Sequence, residues 1–282
     1  MERIDWSRTD ALIDHALDED IDTGDVTTRS IVGVPTKATA QITAKRACVV
    51  AGLFLVQRIY ERLSKEVVVE PLVAEGKKVN SGTVICRIHG PFDTLLVGER
   101  TVLNFLQRLC GVASVTQRFV RAVKDSKCKV LDTRKTTPGM RSLEKYAVRC
   151  GGGTNHRFGL YDAILIKENH IAAAGGVQEA IEKAREASPT LPLEIEVQNM
   201  GELVLAVEYG ADIVLLDNFS VADVRKAVSM VGQRVQLEVS GGIQARTVKP
   251  YAQTGVHRIS IGALTHSVKA CDLSMLIVPD GK

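Results

Sequence analysis

From residue 129 onward the chain repeats one pattern: a short apolar run, a loop, then a stretch with helical spacing. The apolar runs are 129–131, 163–166, 194–197, 213–216, 236–239 and 258–261, and helical stretches cover 177–186, 201–209, 221–231 and 245–253. Strands joined through helices cannot be hairpin partners, so the pattern predicts a parallel sheet with right-handed crossovers. The later strands recur at the spacing of one βα unit. About six units with no sign of a reversal in strand order favour an incomplete barrel. An open doubly wound sheet is the alternative.

The first part of the chain reads differently. Helical spacing over 10–17 runs into the acidic loop Asp18-Glu-Asp-Ile-Asp-Thr-Gly-Asp25. Short β-rich runs follow at 38–43, 48–51, 67–69 and 83–88, with a glycine rhythm around Gly76 and Gly82 that suits a small sandwich of hairpins. Residues 53–63 and 99–123 have helical periodicity, and the second stretch predicts two helices broken near Gly111. This half reads as an α+β domain.

The 282 residues are 45% hydrophobic and 24% charged, which is an ordinary globular composition. Aromatics make up 4% and do not interleave with the basic residues, which argues against a base-stacking nucleic-acid surface. A pI near 8.5 leaves no footprint of DNA binding. No apolar run reaches membrane-spanning length, and the first residues lack the apolar core of a signal peptide. The six cysteines are scattered without metal-site spacing and read as small core residues in a reducing, cytoplasmic setting, with no structural zinc.

Charge is not evenly spread. From Arg134 to His170 there are seven Lys/Arg against three Asp/Glu, a surplus larger than the net +3 of the whole protein. In a barrel the site lies at the C-terminal ends of the strands. Reading the residues that follow each run places Asp132, Thr133, Arg134 and Lys135 after the first strand, and Lys167, Glu168 and His170 after the second. Glu196 lies near the end of the third, Asp217-Asn218 ends the fourth, Ser240-Gly241-Gly242 the fifth, and Gly262-Ala263 the sixth. Cations come from the early units, carboxylates from the middle and glycine turns from the last. The arrangement points to a pocket for a polyanionic small molecule.

Glycine turns let backbone N–H groups approach a phosphate, and phosphate sites after the last barrel strands are common. A single Ser-Gly-Gly could equally be a simple turn. Gly151-Gly-Gly-Thr-Asn-His156 departs from the dinucleotide fingerprint, and no P-loop occurs, so nicotinamide cofactors and NTP hydrolysis are poorly supported. Glu196 and Asp217 suit either Mg2+ carried by phosphates or stabilisation of developing positive charge; pairing with nearby lysines is the simpler alternative. Lys167 follows Ala-Ile-Leu-Ile and is expected to be buried to its stem against an anion. His156-Arg157 could be loop residues, and His170 could merely cap a helix.

Taken together, Asp132-Thr-Arg-Lys-Thr-Thr-Pro-Gly-Met-Arg141, Gly151-Gly-Gly-Thr-Asn-His-Arg157 and Leu165-Ile-Lys-Glu-Asn-His170 resemble the quinolinate phosphoribosyltransferase family. The likeness extends to Asp25-Val-Thr-Thr28, Glu99-Arg-Thr-Val-Leu-Asn104, Glu194-Ile-Glu-Val197, Leu215-Leu-Asp-Asn-Phe219, Ser240-Gly-Gly-Ile243 and Ile261-Gly-Ala-Leu264. These blocks follow one another across nearly the whole chain.

The resemblance implies the type II phosphoribosyltransferase fold. That is an N-terminal α/β sandwich over 1–115, joined by a C-terminal return at 268–282, and an incomplete (β/α) barrel of about six to seven strands over 116–267. It implies transfer of a phosphoribosyl group from phosphoribosyl pyrophosphate to quinolinate with Mg2+, releasing pyrophosphate and CO2. It implies that Thr133, Arg134, His156, Arg157 and Lys167 bind quinolinate, with Arg100 supplied by the partner of a homodimer, or of a higher assembly built from it. The donor is implied to meet Lys135, Lys167, His170, Glu196, Asp217, Ser240, Gly241, Gly242, Gly262 and Ala263. Lys135, Glu196 and Asp217 are the implied catalytic groups, the last two lying near Mg2+.

The chain departs from the family pattern at Glu168, where Asp is frequent, and at Gln198, where an acidic residue is frequent. A related protein of molybdenum-transport operons shares the Thr-Arg-Lys-Thr-Pro-Gly pattern, but the intact Leu165-Ile-Lys-Glu-Asn-His170 and the pair Glu99-Arg100 argue against it. Nicotinate phosphoribosyltransferase shares the architecture and needs fewer cations for a monoacid. A lipoyl-type carrier would need an exposed lysine flanked by Asp or Met in the glycine-rich hairpin, and the sequence has none so flanked there.

Overall fold

The computed structural model describes residues 4–32 and 36–281. In chain order the elements are α1 (Trp6–Ile21), α2 (Val26–Ile31), β1 (Lys37–Ala44), β2 (Cys48–Val49), α3 (Phe54–Leu63), β3 (Val68–Pro71), β4 (Lys78–Val79), β5 (Val84–Pro91) and α4 (Phe92–Ala122). They continue with β6 (Lys129–Leu131), α5 (Arg141–Cys150), β7 (Ile164–Ile166), α6 (Glu168–Ala174), α7 (Val177–Ala187), β8 (Leu193–Val197) and α8 (Met200–Glu208). The chain ends with β9 (Ile213–Asp217), α9 (Val221–Val231), β10 (Gln236–Ser240), α10 (Val248–Ala252), β11 (Arg258–Ser260), α11 (Ala263–His266) and β12 (Leu273–Pro279). Two compact units result. The first comprises Met1–Gln117, Thr136–Gly152 and Leu264–Lys282, and the second Arg118–Lys135 and Gly153–Ala263.

The first unit holds an antiparallel sheet in the order β12-β1-β5-β3 and a small β2-β4 ladder. β1 alternates as half-buried strands do, sending Ala38, Ala40, Ile42 and Ala44 into the core. The final strand β12 pairs with β1 along its length, from Ala38 opposite Pro279 to Ala44 opposite Leu273. The helix broken at Gly111 is not observed: α4 is a single helix of 31 residues. Gly111 serves close approach rather than a break, because a Cβ there would lie 2.6 Å from the Lys269 carbonyl oxygen and 2.8 Å from Val268. Segment 136–152 is fastened within this unit by Glu144, which is fully buried and accepts from Arg108 Nε at 3.0 Å and Nη2 at 2.8 Å. The same carboxylate takes the Thr137 backbone N–H and hydroxyl, fixing the Thr-Pro-Gly turn.

The second unit holds a six-stranded parallel sheet in the order β6-β11-β10-β9-β8-β7. Strands β7 to β11 follow one another in chain order, and β6 then adds beside β11. This single winding direction is that of a barrel, and the sheet stays unpaired between β6 and β7. Thr154 makes one parallel bridge to Leu131 on the free side of β6. The outward residues Ile195, Val197, Val214, Leu216, Leu237, Val239 and Ile259 are buried, as expected where helices cover a parallel sheet. The opposite face is polar. Register places Glu194, Glu196, Asp217, Glu238, Ser240 and Arg258 on it together.

Candidate active site

Each strand of the second unit ends where its sequence turns from apolar to polar. Asp132, just past β6, is fully buried and is used structurally. Its carboxylate accepts the His156 backbone N–H at 2.9 Å and the Asn155 side-chain amide at 2.5 Å, tying the loop after Gly153 to the end of β6. That loop then delivers His156 and Arg157 beside the residues of β6. Thr133 accepts the Lys135 backbone N–H at 3.1 Å, which shapes the turn carrying Arg134 and the exposed Lys135.

Arg157 is half-buried. Its Nη1 donates to the Ala163 carbonyl at 3.0 Å, while its Nε is buried with no hydrogen-bond partner among the described residues. Burial, and then the nearby Arg134 guanidinium, push the Arg157 pKa down. Two guanidiniums that repel one another, one with a buried donor left open, form a site that an anion would relieve.

His156 is buried, with Nε2 3.0 Å from Glu194 and 3.3 Å from Glu238. Burial disfavours its charged form, but hydrogen bonds and charge from the two glutamates outweigh that and push the pKa up to about 9. The Arg157 backbone N–H approaches Nδ1 at 2.8 Å, a contact that suits the neutral ring. Burial raises the Glu194 pKa, with the His156 hydrogen bond acting in the opposite sense, and Arg258 Nε lies 3.1 Å from Glu238.

Lys167 is the N-cap of α6, and its Nζ donates to Glu196 at 2.9 Å. The expected burial of its stem is not observed. The side chain is 49% exposed, because β7 ends one residue earlier and the helix turns away at the sheet end. His170 accepts the Lys167 backbone N–H at 3.0 Å through Nδ1, satisfying one donor at the start of α6. Glu168 accepts from Gln198 at 2.6 Å, so the two departures from the family pattern meet each other.

Glu196 is 15% exposed. Burial and then the Glu196 charge raise the Asp217 pKa, with Asn218, Lys167 and Lys135 acting in the opposite sense. Asp217 stands opposite Ser240 in the ladder. Beyond them the backbone is tightly turned. Asn218 has φ 57°, Gly241 φ 103° and Gly242 φ 58°. A Cβ on Gly241 would lie 2.1 Å from Asn218 Oδ1, so only glycine fits this turn. Gly262 and Ala263 follow β11 at the next strand end.

Thr133, Arg134, Lys135, His156, Arg157, Lys167, His170, Glu196, Asp217, Ser240, Gly241, Gly242, Gly262 and Ala263 thus all lie in the second unit. Arg100 is exposed on α4 in the first. Sequence reasoning missed Glu194, Glu238 and Arg258. The available signal was the alternation Glu194-Ile-Glu196 and Glu238-Val-Ser240 in strands otherwise apolar.

Two acidic groupings bear on metals. Glu196 and Asp217 offer hard oxygen donors, and the burial and then the mutual repulsion that raise Asp217 are what a cation would offset, so they fit Mg2+. The ligand atoms of His156, Glu194 and Glu238 also lie within 4.8 Å of one another. There Nε2 faces both glutamates, so a metal at this position would have to displace the ring proton.

An incomplete barrel whose strand ends join paired guanidiniums, a lysine–glutamate pair and a glycine turn defines a class of barrel enzyme for anionic, phosphorylated small molecules. Two family models match in sequence: the N-terminal domain of quinolinate phosphoribosyl transferase over residues 25–110 and its C-terminal domain over 112–276. The chain belongs to the quinolinate phosphoribosyltransferase family. It is 44% identical over 265 residues to a probable nicotinate-nucleotide pyrophosphorylase [carboxylating] of Bacillus subtilis, covering 94% of this chain and 91% of the relative. It is 40% identical over 271 residues to the nicotinate-nucleotide pyrophosphorylase [carboxylating] of Mycobacterium leprae, covering 93% and 95%. The nicotinate-nucleotide pyrophosphorylase structure from Francisella tularensis superposes with a TM-score of 0.95 at 41% identity, covering 98% of both chains.

Proposed function

We propose that this chain transfers the phosphoribosyl group of phosphoribosyl pyrophosphate to quinolinate and releases CO2, forming nicotinate mononucleotide for NAD biosynthesis. The observation that carries the reading is the Arg134–Arg157 pair. Two guanidiniums near enough for one charge to act on the other, one with a buried donor open, suit a substrate with two neighbouring carboxylates.

In this reading Arg134, Arg157, His156, Thr133 and Lys167 hold the diacid, and Arg100 reaches it from the second subunit of a homodimer. Lys135, Lys167 and His170 face the donor, and the backbone of Ser240 to Gly242 with Gly262 and Ala263 holds its 5′-phosphate. As the bond from ribose C1 to pyrophosphate breaks, C1 gains oxocarbenium character, which the Glu196 and Asp217 carboxylates stabilise. The pyridine nitrogen attacks C1 and becomes a pyridinium. The C2–carboxylate bond then breaks, its electron pair stays on C2 beside the positive nitrogen, and a proton replaces CO2. No side-chain nucleophile is required; positioning and charge suffice. Glu196 and Asp217 would also hold Mg2+, which neutralises pyrophosphate charge when bound. No helix among the described residues is long and apolar enough to cross a membrane, which is compatible with a cytoplasmic enzyme.

Purified protein supplied with carboxyl-labelled quinolinate, phosphoribosyl pyrophosphate and Mg2+ is expected to release labelled CO2 in step with pyrophosphate. Turnover of nicotinate alone at a comparable rate would overturn the assignment.

A further inference from the structure

Two carboxylates that this reaction does not use lie inside the sheet of the second unit. Glu194 is 4% exposed and Glu238 is 0% exposed. They stand one alternate position before Glu196 and Ser240 on the same polar face. Glu194 Oε1 and both Glu238 oxygens lack a well-directed hydrogen bond among the described residues, so charge holds them in place. Their cationic neighbours are His156 on one side and Arg258 on the other. Buried ion groups of this kind add little stability compared with apolar residues of the same size. Their use is therefore sought in what they touch, and His156 connects them to the loop that carries Arg157.

We propose that Glu194 and Glu238 are positioning residues for quinolinate, acting through His156: they hold its ring by Nε2, which keeps Nδ1 turned to the Arg157 backbone N–H and so sets the loop that carries the Arg157 guanidinium. The inference rests on the reading of Arg157 as a contact of the diacid. Without the glutamates, a buried imidazole has no reason to keep one orientation, and the loop that aims Arg157 at the diacid loses its support.

The test is steady-state kinetics on Glu194→Gln and Glu238→Gln, which keep size and remove charge, together with His156→Ala and the His156→Ala/Glu238→Gln double variant. Each glutamine variant is expected to raise KM for quinolinate about tenfold, the loss of one hydrogen bond to a charged group. The KM for phosphoribosyl pyrophosphate and kcat should move by less than about twofold. The double variant should bind quinolinate no worse than His156→Ala, because the glutamates act through that ring. Normal quinolinate KM in both glutamine variants, with His156→Ala impaired, overturns the proposal and leaves the diacid reading of Arg157 standing. Normal quinolinate KM in His156→Ala overturns it as well, while CO2 release still stands. An additive double variant, a joint rise of both KM values, or failure of both glutamine variants to fold marks a general structural role and also overturns it.

Discussion

At the residue scale, the charged groups split into those that face the strand ends and those sealed beneath them. His156 belongs to both, and its titration is the sharpest handle on the site. The groups facing it are Glu194 on β8, Glu238 on β10 with Arg258 behind it on β11, Asp132 after β6 through the backbone, and the adjacent Arg157. Its folded pKa, raised to about 9, lies above the unfolded value, so the imidazolium's contribution is fully present below about pH 6.5 and is lost as pH rises through about 9. Stability to urea should therefore lose a contribution as pH rises from about 6.5 through about 9. In His156→Ala that slope should flatten. The strand-end cations were legible in the sequence because they follow apolar runs in a fixed rhythm. The buried glutamates were not, because the same rhythm makes a carboxylate inside a strand look like a strand end. The exposure of Lys167 was missed for a related reason: burial of a run says nothing about where its last side chain points.

At the scale of elements, the parallel strands were legible almost to the residue, since strands covered on both faces read as near-continuous apolar runs. The inner face is the exception, and its polar alternation is the mark of the site. The predicted break in α4 failed because glycine has two uses that sequence does not distinguish, bending a helix and admitting a neighbour. Gly111 does the second, receiving the 268–269 backbone at a distance no Cβ could allow. Gly111→Ala improves helix propensity and should nonetheless destabilise the protein by about 1–3 kcal/mol, the cost of overpacking a tight contact. Urea denaturation would read this, and a gain in stability would show the contact to be soft.

At the scale of the whole molecule, the proposal that Arg100 reaches the diacid of a neighbouring subunit makes a site shared by two chains, and a mixing experiment tests it. Arg100→Ala and Lys135→Ala homodimers should each be inactive. Mixed and allowed to exchange subunits, they should recover about a quarter of wild-type activity, since random pairing makes half the dimers hybrid and each hybrid holds one intact site. No recovery after exchange has been verified would place Arg100 in its own chain's site.

The pairing of β12 with β1 has a consequence for how the chain folds. The strand that completes the first sheet follows the whole of the second unit in sequence, while its partner precedes it. One edge of β1 stays uncovered until that long loop is closed, which makes the pairing a slow, non-local step. A chain cut before residue 273 would therefore keep the other strands of the first sheet but leave the β1 edge open to pair with another chain.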